Sequence, residues 1–437
     1  MEYTVSIERM AYSADAVAHL PEGKVVFVPG AAPGDTVRIE VVEDKGSFAR
    51  ARLVELVEAS SVRTGASAPH DEPSTCPWQH IAYDSQLEYK RANVVAQLAH
   101  TVQMDRERAE ELVGACVRSK REWGYRNKLE LACGTDAAGR FEVGVTQEGS
   151  DELIPIDSSL LVYVPVQKAP KALRGALRFA QGASDLGIFR IGVRTSLATG
   201  ETEVALWTRP GAFPRGHVAK TLAGAVKATS IVRVLADPGR ARKVKGLEVL
   251  DGRGFWRERM GDCTFSMAAP SFFQVNTAQA QKLVDEAKRA IGDVDGARVA
   301  DLYAGGGTFS IPLAKAGAQV VAVEAASSSV KDLRHNAQAN KVDIDVVGGD
   351  AARELAALGT LDALVVDPPR AGLAKNVPAD IARAHPGRVV YVSCNPSTWV
   401  RDVVRFAECG YRLVSVQPVD MFPQTYHVEI VSAFERA

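Results

Sequence analysis

Asp301-Leu302-Tyr303-Ala304-Gly305-Gly306-Gly307-Thr308-Phe309 ends one kind of chain and begins another. Residues 297–302 are apolar and strand-forming, and residues 308–316 carry helical spacing. Glycines between a strand and a helix allow a tight turn and a close approach of backbone to ligand. A dinucleotide fingerprint would need glycine at position 310, which is Ser310. Asp301 ahead of the glycines would repel a pyrophosphate and suits a cation such as the sulfonium cofactor S-adenosylmethionine.

Outward from this turn, the strand-like run 319–324 ends in Glu324, where a carboxylate can take both hydroxyls of a ribose. A helical run follows at 328–340, then a strand at 345–347 that leads to Asp350, placed for an adenine rim. Further strands read at 363–367, 388–393 and 411–418. Such βαβ alternation makes a parallel, doubly wound Rossmann-like sheet with ligand crevices at the strand ends. Asp367-Pro368-Pro369-Arg370 closes one of these strands and Ser393-Cys394-Asn395-Pro396 closes the next. A lone thiol is more often an inert small side chain than a nucleophile, and a rigid Asp-Pro-Pro turn can simply stop a strand. With a cofactor turn, Asp367 and Cys394 at strand ends of one domain, the functional reading is preferred.

The 437 residues exceed one ordinary core, and 46% hydrophobic with 24% charged residues is usual for a globular chain. No apolar run reaches the ~18 residues that span a bilayer, and no signal peptide is visible, so a cytoplasmic setting is expected. The six cysteines form no CxxC pair, which suggests neither a disulfide framework nor a zinc site. Residues 1–59 read as a small OB-like β-barrel with strands at 3–7, 24–28, 36–42 and 49–57. Helical periodicity runs through 84–117. Trp123-Gly124-Tyr125-Arg126-Asn127-Lys128 interleaves aromatics with cations, as an RNA contact or a plain strand entry would. The α+β middle holds 18 Lys/Arg against 7 Asp/Glu between residues 160 and 260, although the net charge is −1. Such asymmetry is a footprint of nucleic-acid binding.

Five stretches in register resemble the bacterial RNA (uracil-5-)-methyltransferase family across nearly the whole chain. They are Ser271-Phe272-Phe273-Gln274-Val275-Asn276, Asp301–Phe309, Asp367–Arg370 with Gly372, Ser393–Pro396, and Met421-Phe422-Pro423-Gln424-Thr425-Tyr426-His427-Val428-Glu429. Residues 1–59 resemble the TRAM barrel of the ribosomal-RNA branch. The resemblance implies Cys394 as nucleophile and Glu429 as base. It implies that Gln274, Tyr303, Thr308, Glu324, Asp350 and Asp367 contact the cofactor S-adenosylmethionine or the target base. Many members hold an iron–sulfur cluster through C-x5-C-x2-C before Gln-His, plus a later cysteine. Here Gln79-His80 follows Ser67, Pro73 and Cys76, and the later position is Ser158. One cysteine of four does not hold a cluster, so neither a cluster nor any other metal is expected.

The expected organisation is a TRAM barrel over 1–59, a linker, helix and basic α+β RNA-binding region over 60–262, and a catalytic domain over 263–437. The expected activity is formation of 5-methyluridine in structured RNA by a monomer without membrane attachment. The TRAM resemblance favours 23S ribosomal RNA over transfer RNA. The rivals are methylation of another base atom, which needs no cysteine, and an RNA-binding factor with a vestigial site.

Overall fold

Six strands form from the first 58 residues, in the order Glu2–Ser6, Thr36–Asp44, Phe48–Glu58, Val25–Pro29, Asp15–His19 and Arg9–Met10. Every second residue is apolar, so Val5, Ala16, Ala18, Val26, Val28, Val37, Ile39 and Ala49 face one core with Trp78 and Ile81. Three register shifts between Thr36–Asp44 and Phe48–Glu58 bend that hairpin. Four of these strands are legible as sequence. The Asp15–His19 strand escapes because its inward residues are mostly alanines, which carry little strand preference.

The computed structural model describes residues 1–65, 75–146, 152–182, 184–239 and 243–437. They fall into two units, Met1–Glu122 with Arg289–Ile291 and Asp367–Ala437, and Trp123–Lys288 with Gly292–Val366.

In the first unit the barrel is followed by a helix at Tyr83–Val102. The helical run expected over 84–117 breaks where Gln103 turns left-handed at φ 53°. A short helix occupies Arg106–Leu112, and the chain beyond it is extended, with Val113 bridging to Val416 and Val117 to Val419. Pairing along an exposed strand edge overrides local helical spacing there. Three strands follow late in the chain, with Glu429–Arg436 antiparallel to both Arg388–Ser393 and Tyr411–Val419. The helix Pro396–Glu408 packs on Tyr83–Val102, so residues from opposite ends of the sequence share this unit.

In the second unit a seven-stranded sheet runs from Val244–Gly252 through Ser230–Ala236, Thr202–Thr208, Ile188–Thr195, Lys128–Thr135 and Phe141–Thr146 to Leu153–Pro155. Helices Ala169–Gln181 and Arg215–Val226 bury Leu173, Leu177, Val218 and Leu222 against Leu131, Val143, Ile191 and Val204. Arg215–Val226 is the crossover that the parallel pair Thr202–Thr208 and Ser230–Ala236 requires. Much of the basic excess is neutralised internally. Arg174 and Arg178 pair with Glu142, Arg190 with Glu130, Arg215 and Arg233 with Glu248, and Arg253 and Arg257 with Glu201.

The same unit holds four parallel strands in the order Ile344–Gly348, Gln319–Glu324, Arg298–Leu302 and Ala363–Val366. Their interior residues, among them Ala300, Leu302, Ala322, Val323, Leu364 and Val366, are fully buried, as strands covered on both faces must be. Helices Ser310–Lys315 and Ser327–Ala339 supply the crossovers. Among the described residues no helix is long and apolar enough to cross a membrane.

Candidate active site

Cys394 follows the Arg388–Ser393 strand directly. Ser393 faces Ile430 across the antiparallel ladder, so one step further brings Cys394 opposite Glu429. Facing residues of antiparallel strands share one side of the sheet. Their electrostatics agree. Burial, then Glu429 and then Asp367 push the Cys394 thiol up to about 12, while Arg370 opposes them. Glu429 is 5% exposed, and its carboxyl is held well above the ordinary range by burial and then by Asp367, again against Arg370. The first unit therefore gathers Cys394, Glu429, Asp367 and Arg370 around one point.

Side chains absent from the motifs hold these parts in place. Buried Asp402 accepts from the Tyr391 hydroxyl at 3.0 Å and from the Leu373 amide at 2.8 Å, with Arg401 and Arg405 also on its carboxylate. It thereby ties the turn after Asp367 to the Pro396–Glu408 helix. Gly372 sits at φ 76°, and a Cβ there would lie 2.6 Å from the Asp402 carboxylate. The Arg370 carbonyl accepts from Asn395 Nδ2 at 3.3 Å and Thr398 Oγ1 at 3.1 Å. The segment leading to Glu429 is fixed by Tyr83–Val102. Lys90 and Asp420, both fully buried, pair at 2.5 Å, and Tyr83 donates to Asp420 at 2.7 Å. Gln86 donates to Gln424 Oε1 at 2.9 Å and accepts from the Gln424 amide at 2.9 Å, holding that residue at φ 69°.

The second unit contains the glycine turn. Gly307 lies at φ 95°, and a Cβ there would come 2.6 Å from Leu333, so only glycine fits. Tyr303 adopts φ 65°, a strained value for an aromatic residue and common at functional turns. Glu324 is committed on both oxygens, accepting from the Gly305 amide at 2.9 Å and the Ala326 amide at 2.6 Å, with a lone pair left on each. Thr308, directly after Gly307 in sequence, is half-buried. The Gly349 amide donates to the Glu324 carbonyl at 3.0 Å, which brings Asp350 next to this strand end. Asp350 itself is exposed and caps the Ala351–Glu354 helix through the Ala352 amide. Gln274 is 6% exposed, and Asn127 Nδ2 donates to its carbonyl at 2.9 Å. Burial pushes the Asp301 carboxyl up to about 7. Its Oδ2 takes the Ser310 hydroxyl, whereas its Oδ1 has no partner among the described residues. A glycine-walled cradle with an unsatisfied buried carboxylate fits a cationic cofactor.

Of the two readings open for residues 123–128, the structure favours the strand entry. Tyr125 is buried to 1% and does not offer its ring to a base, and Asn127 serves the Gln274 loop. That stretch is an anchored strand entry. Cys76 is buried and Ser158 half-buried, while Ser67 and Pro73 lie outside the described residues. Among the described residues no group of three His, Cys, Asp or Glu side chains could hold a metal.

Comparison with known proteins fits this geometry. A TRAM-domain model matches residues 1–54, and a tRNA (Uracil-5-)-methyltransferase model matches residues 259–357 and 355–436. An RNA methyltransferase of Gloeobacter violaceus is 35% identical over 99% of this chain and 96% of its own length. The 23S rRNA (uracil(1939)-C(5))-methyltransferase of Shewanella amazonensis is 33% identical over 99% and 95%. The crystal structure of Pyrococcus abyssi tRNA (uracil-54, C5)-methyltransferase with S-adenosyl-L-homocysteine superposes with a TM-score of 0.77 at 27% identity, covering 98% of this chain and 99% of that one. A thiol opposite a carboxylate in one unit and a cation-fitting glycine cradle in the other thus come with relatives along the full length, and the chain belongs to the S-adenosylmethionine-dependent RNA (uracil-5-)-methyltransferase family.

Proposed function

We propose that this enzyme forms 5-methyluridine in 23S ribosomal RNA, with Cys394 as nucleophile and Glu429 as base. The observation that carries the reading is the register that sets Cys394 against Glu429, with Asp367 and Arg370 acting on both. Carbon 5 of uracil is a weak nucleophile. Bonding of the Cys394 sulfur to carbon 6 moves an electron pair towards O4 and makes carbon 5 enolate-like. The thiol proton passes to solvent as that bond forms, and the expelled sulfur takes a proton back from solvent when it leaves. Bound S-adenosylmethionine supplies an electrophilic methyl group. Glu429 then takes the remaining proton of carbon 5, and the electron pair so freed expels the Cys394 sulfur from carbon 6.

Gln274, Tyr303, Thr308, Glu324 and Asp350 are assigned to the cofactor, and Asp367 to the methyl donor or target base. Glu324 retains acceptor capacity for ribose hydroxyls after serving two amides. With Cys394 half-buried and Glu429 buried, the target base must leave its stack to reach them, which favours looped or single-stranded RNA. The Shewanella relative, which acts on 23S rRNA, supports that substrate, whereas the Pyrococcus likeness, which spans the barrel as well, supports transfer RNA.

The test is covalent trapping. Glu429→Gln is expected to accumulate an enzyme–RNA adduct that survives denaturing electrophoresis, and Cys394→Ala to form none and to lose turnover. Activity retained in Cys394→Ala would move the assignment to a base atom that needs no covalent adduct.

A further inference from the structure

The barrel enters the catalytic cluster through Tyr12. This residue lies in the four-residue turn between Arg9–Met10 and Asp15–His19. The turn is closed by the Ala11 amide on the Asp15 carbonyl at 3.0 Å and the Asp15 amide on Ser13 Oγ at 3.1 Å. Two side chains from outside the barrel strands pin the carbonyls flanking Tyr12. Asn93 Nδ2 donates to Ala11 and Trp78 Nε1 donates to Ser13, each at 3.2 Å. The ring meets Tyr426 edge-on, with centroids 5.6 Å apart at 88°. The Tyr12 hydroxyl donates to the Cys394 carbonyl at 3.3 Å.

That last bond acts on one peptide unit. The plane joining Cys394 to Asn395 has its carbonyl held by Tyr12 and its amide held by Ser393 Oγ at 3.3 Å. Rotation of this plane turns the backbone on which the Cys394 side chain is mounted, so the two bonds together set the direction of the sulfur. We propose that Tyr12 of the N-terminal barrel is a positioning residue for the nucleophile, fixing the Cys394–Asn395 peptide and with it the aim of the thiol. The barrel is then part of the catalytic apparatus as well as a site for RNA. Burial, opposed by Arg370, holds the Tyr12 phenol above its ordinary range, so it stays protonated and remains a donor wherever the enzyme works.

This inference rests on Cys394 as nucleophile, and its test separates the two claims. The probe is total RNA from cells grown with 5-fluorouracil, mixed with the full-length enzyme and S-adenosylmethionine. Sulfur bonds to carbon 6 and carbon 5 gains the methyl group. Fluorine in place of the hydrogen cannot be removed by a base, so the adduct persists. Tyr12→Phe keeps the ring against Tyr426 and removes only the hydroxyl. It is expected to slow adduct formation about tenfold, as slight misdirection of a reacting group does, with cofactor and non-covalent RNA affinities within about twofold of wild type. Tyr12→Leu also removes the ring and is expected to be slower still. An unchanged capture rate in Tyr12→Phe overturns the inference, as does a loss that follows RNA affinity alone. Failure of the wild-type enzyme to form an adduct, or adduct formation by Cys394→Ala, defeats the nucleophile assignment itself.

Discussion

Glu429 is a carboxyl that the fold prefers neutral, because burial and the nearby Asp367 both penalise its charge. Its folded pKa therefore lies above its unfolded one. At pH values below the unfolded pKa both states are protonated and nothing is lost. As pH rises from there, the unfolded chain ionises first, and stability falls until the folded pKa is passed. Glu429→Gln removes this penalty. The substitution is expected to raise the Tm above that of wild type at pH 8, with the gain shrinking as pH is lowered towards the ordinary carboxyl range. Calorimetry across that range checks it, and a gain that grew on acidification would contradict the direction given for Glu429. The identity of this residue was legible in sequence only through its motif. Its strand is not legible, because the run at 429–436 mixes Glu, Ser, Glu and Arg with apolar residues and offers no clean alternation. Tyr12 was not legible at all, since its partner is 382 positions away and no local pattern encodes that distance.

At the scale of elements, the helix Tyr83–Val102 does two jobs. Its periodicity is visible in sequence, but it stops where Gln103 turns left-handed, and past Leu112 the chain is drawn into pairing of Val113 and Val117 with the late strand Tyr411–Val419. Its buried polar side chains, Gln86 and Lys90, break the apolar stripe and would count against a core helix on pattern alone. Their partners, Gln424 and Asp420, explain them. Lys90→Met leaves the Asp420 carboxylate fully buried without its cation, which costs about 3–5 kcal/mol. Chemical denaturation of Lys90→Met against wild type measures this, and Lys90→Met with Asp420→Leu is expected to recover much of the loss. The βαβ strands of the second unit are legible to within about a residue or two because they are buried on both faces and bounded by glycine or charge. The Val244–Gly252 strand is not legible, since its apolar residues stay partly exposed at the sheet edge.

At the scale of the whole molecule, charge and substrate are the issues. The basic excess of residues 160–260 pointed to RNA, yet carboxylates within and just before that stretch engage many of its arginines. Charge counting cannot see such pairing, so it overstates the free cationic surface. The RNA is identified by mass mapping of 5-methyluridine in ribosomal and transfer RNA from cells with and without the gene. Loss from 23S ribosomal RNA is expected, and loss confined to transfer RNA would reassign the substrate. The Lys90–Asp420 pair has one more consequence, this time for biosynthesis. The two residues are 330 positions apart, and at roughly 5–20 residues per second the helix waits on the order of 20–60 s for its counter-ion to be made. Throughout that interval the helix carries a lysine and a glutamine meant for burial, so its buried polar contacts are completed only after residues 420 and 424 leave the ribosome. Slow closure of long-range contacts makes the nascent amino-terminal segment a natural client for chaperones that shield unfinished surfaces.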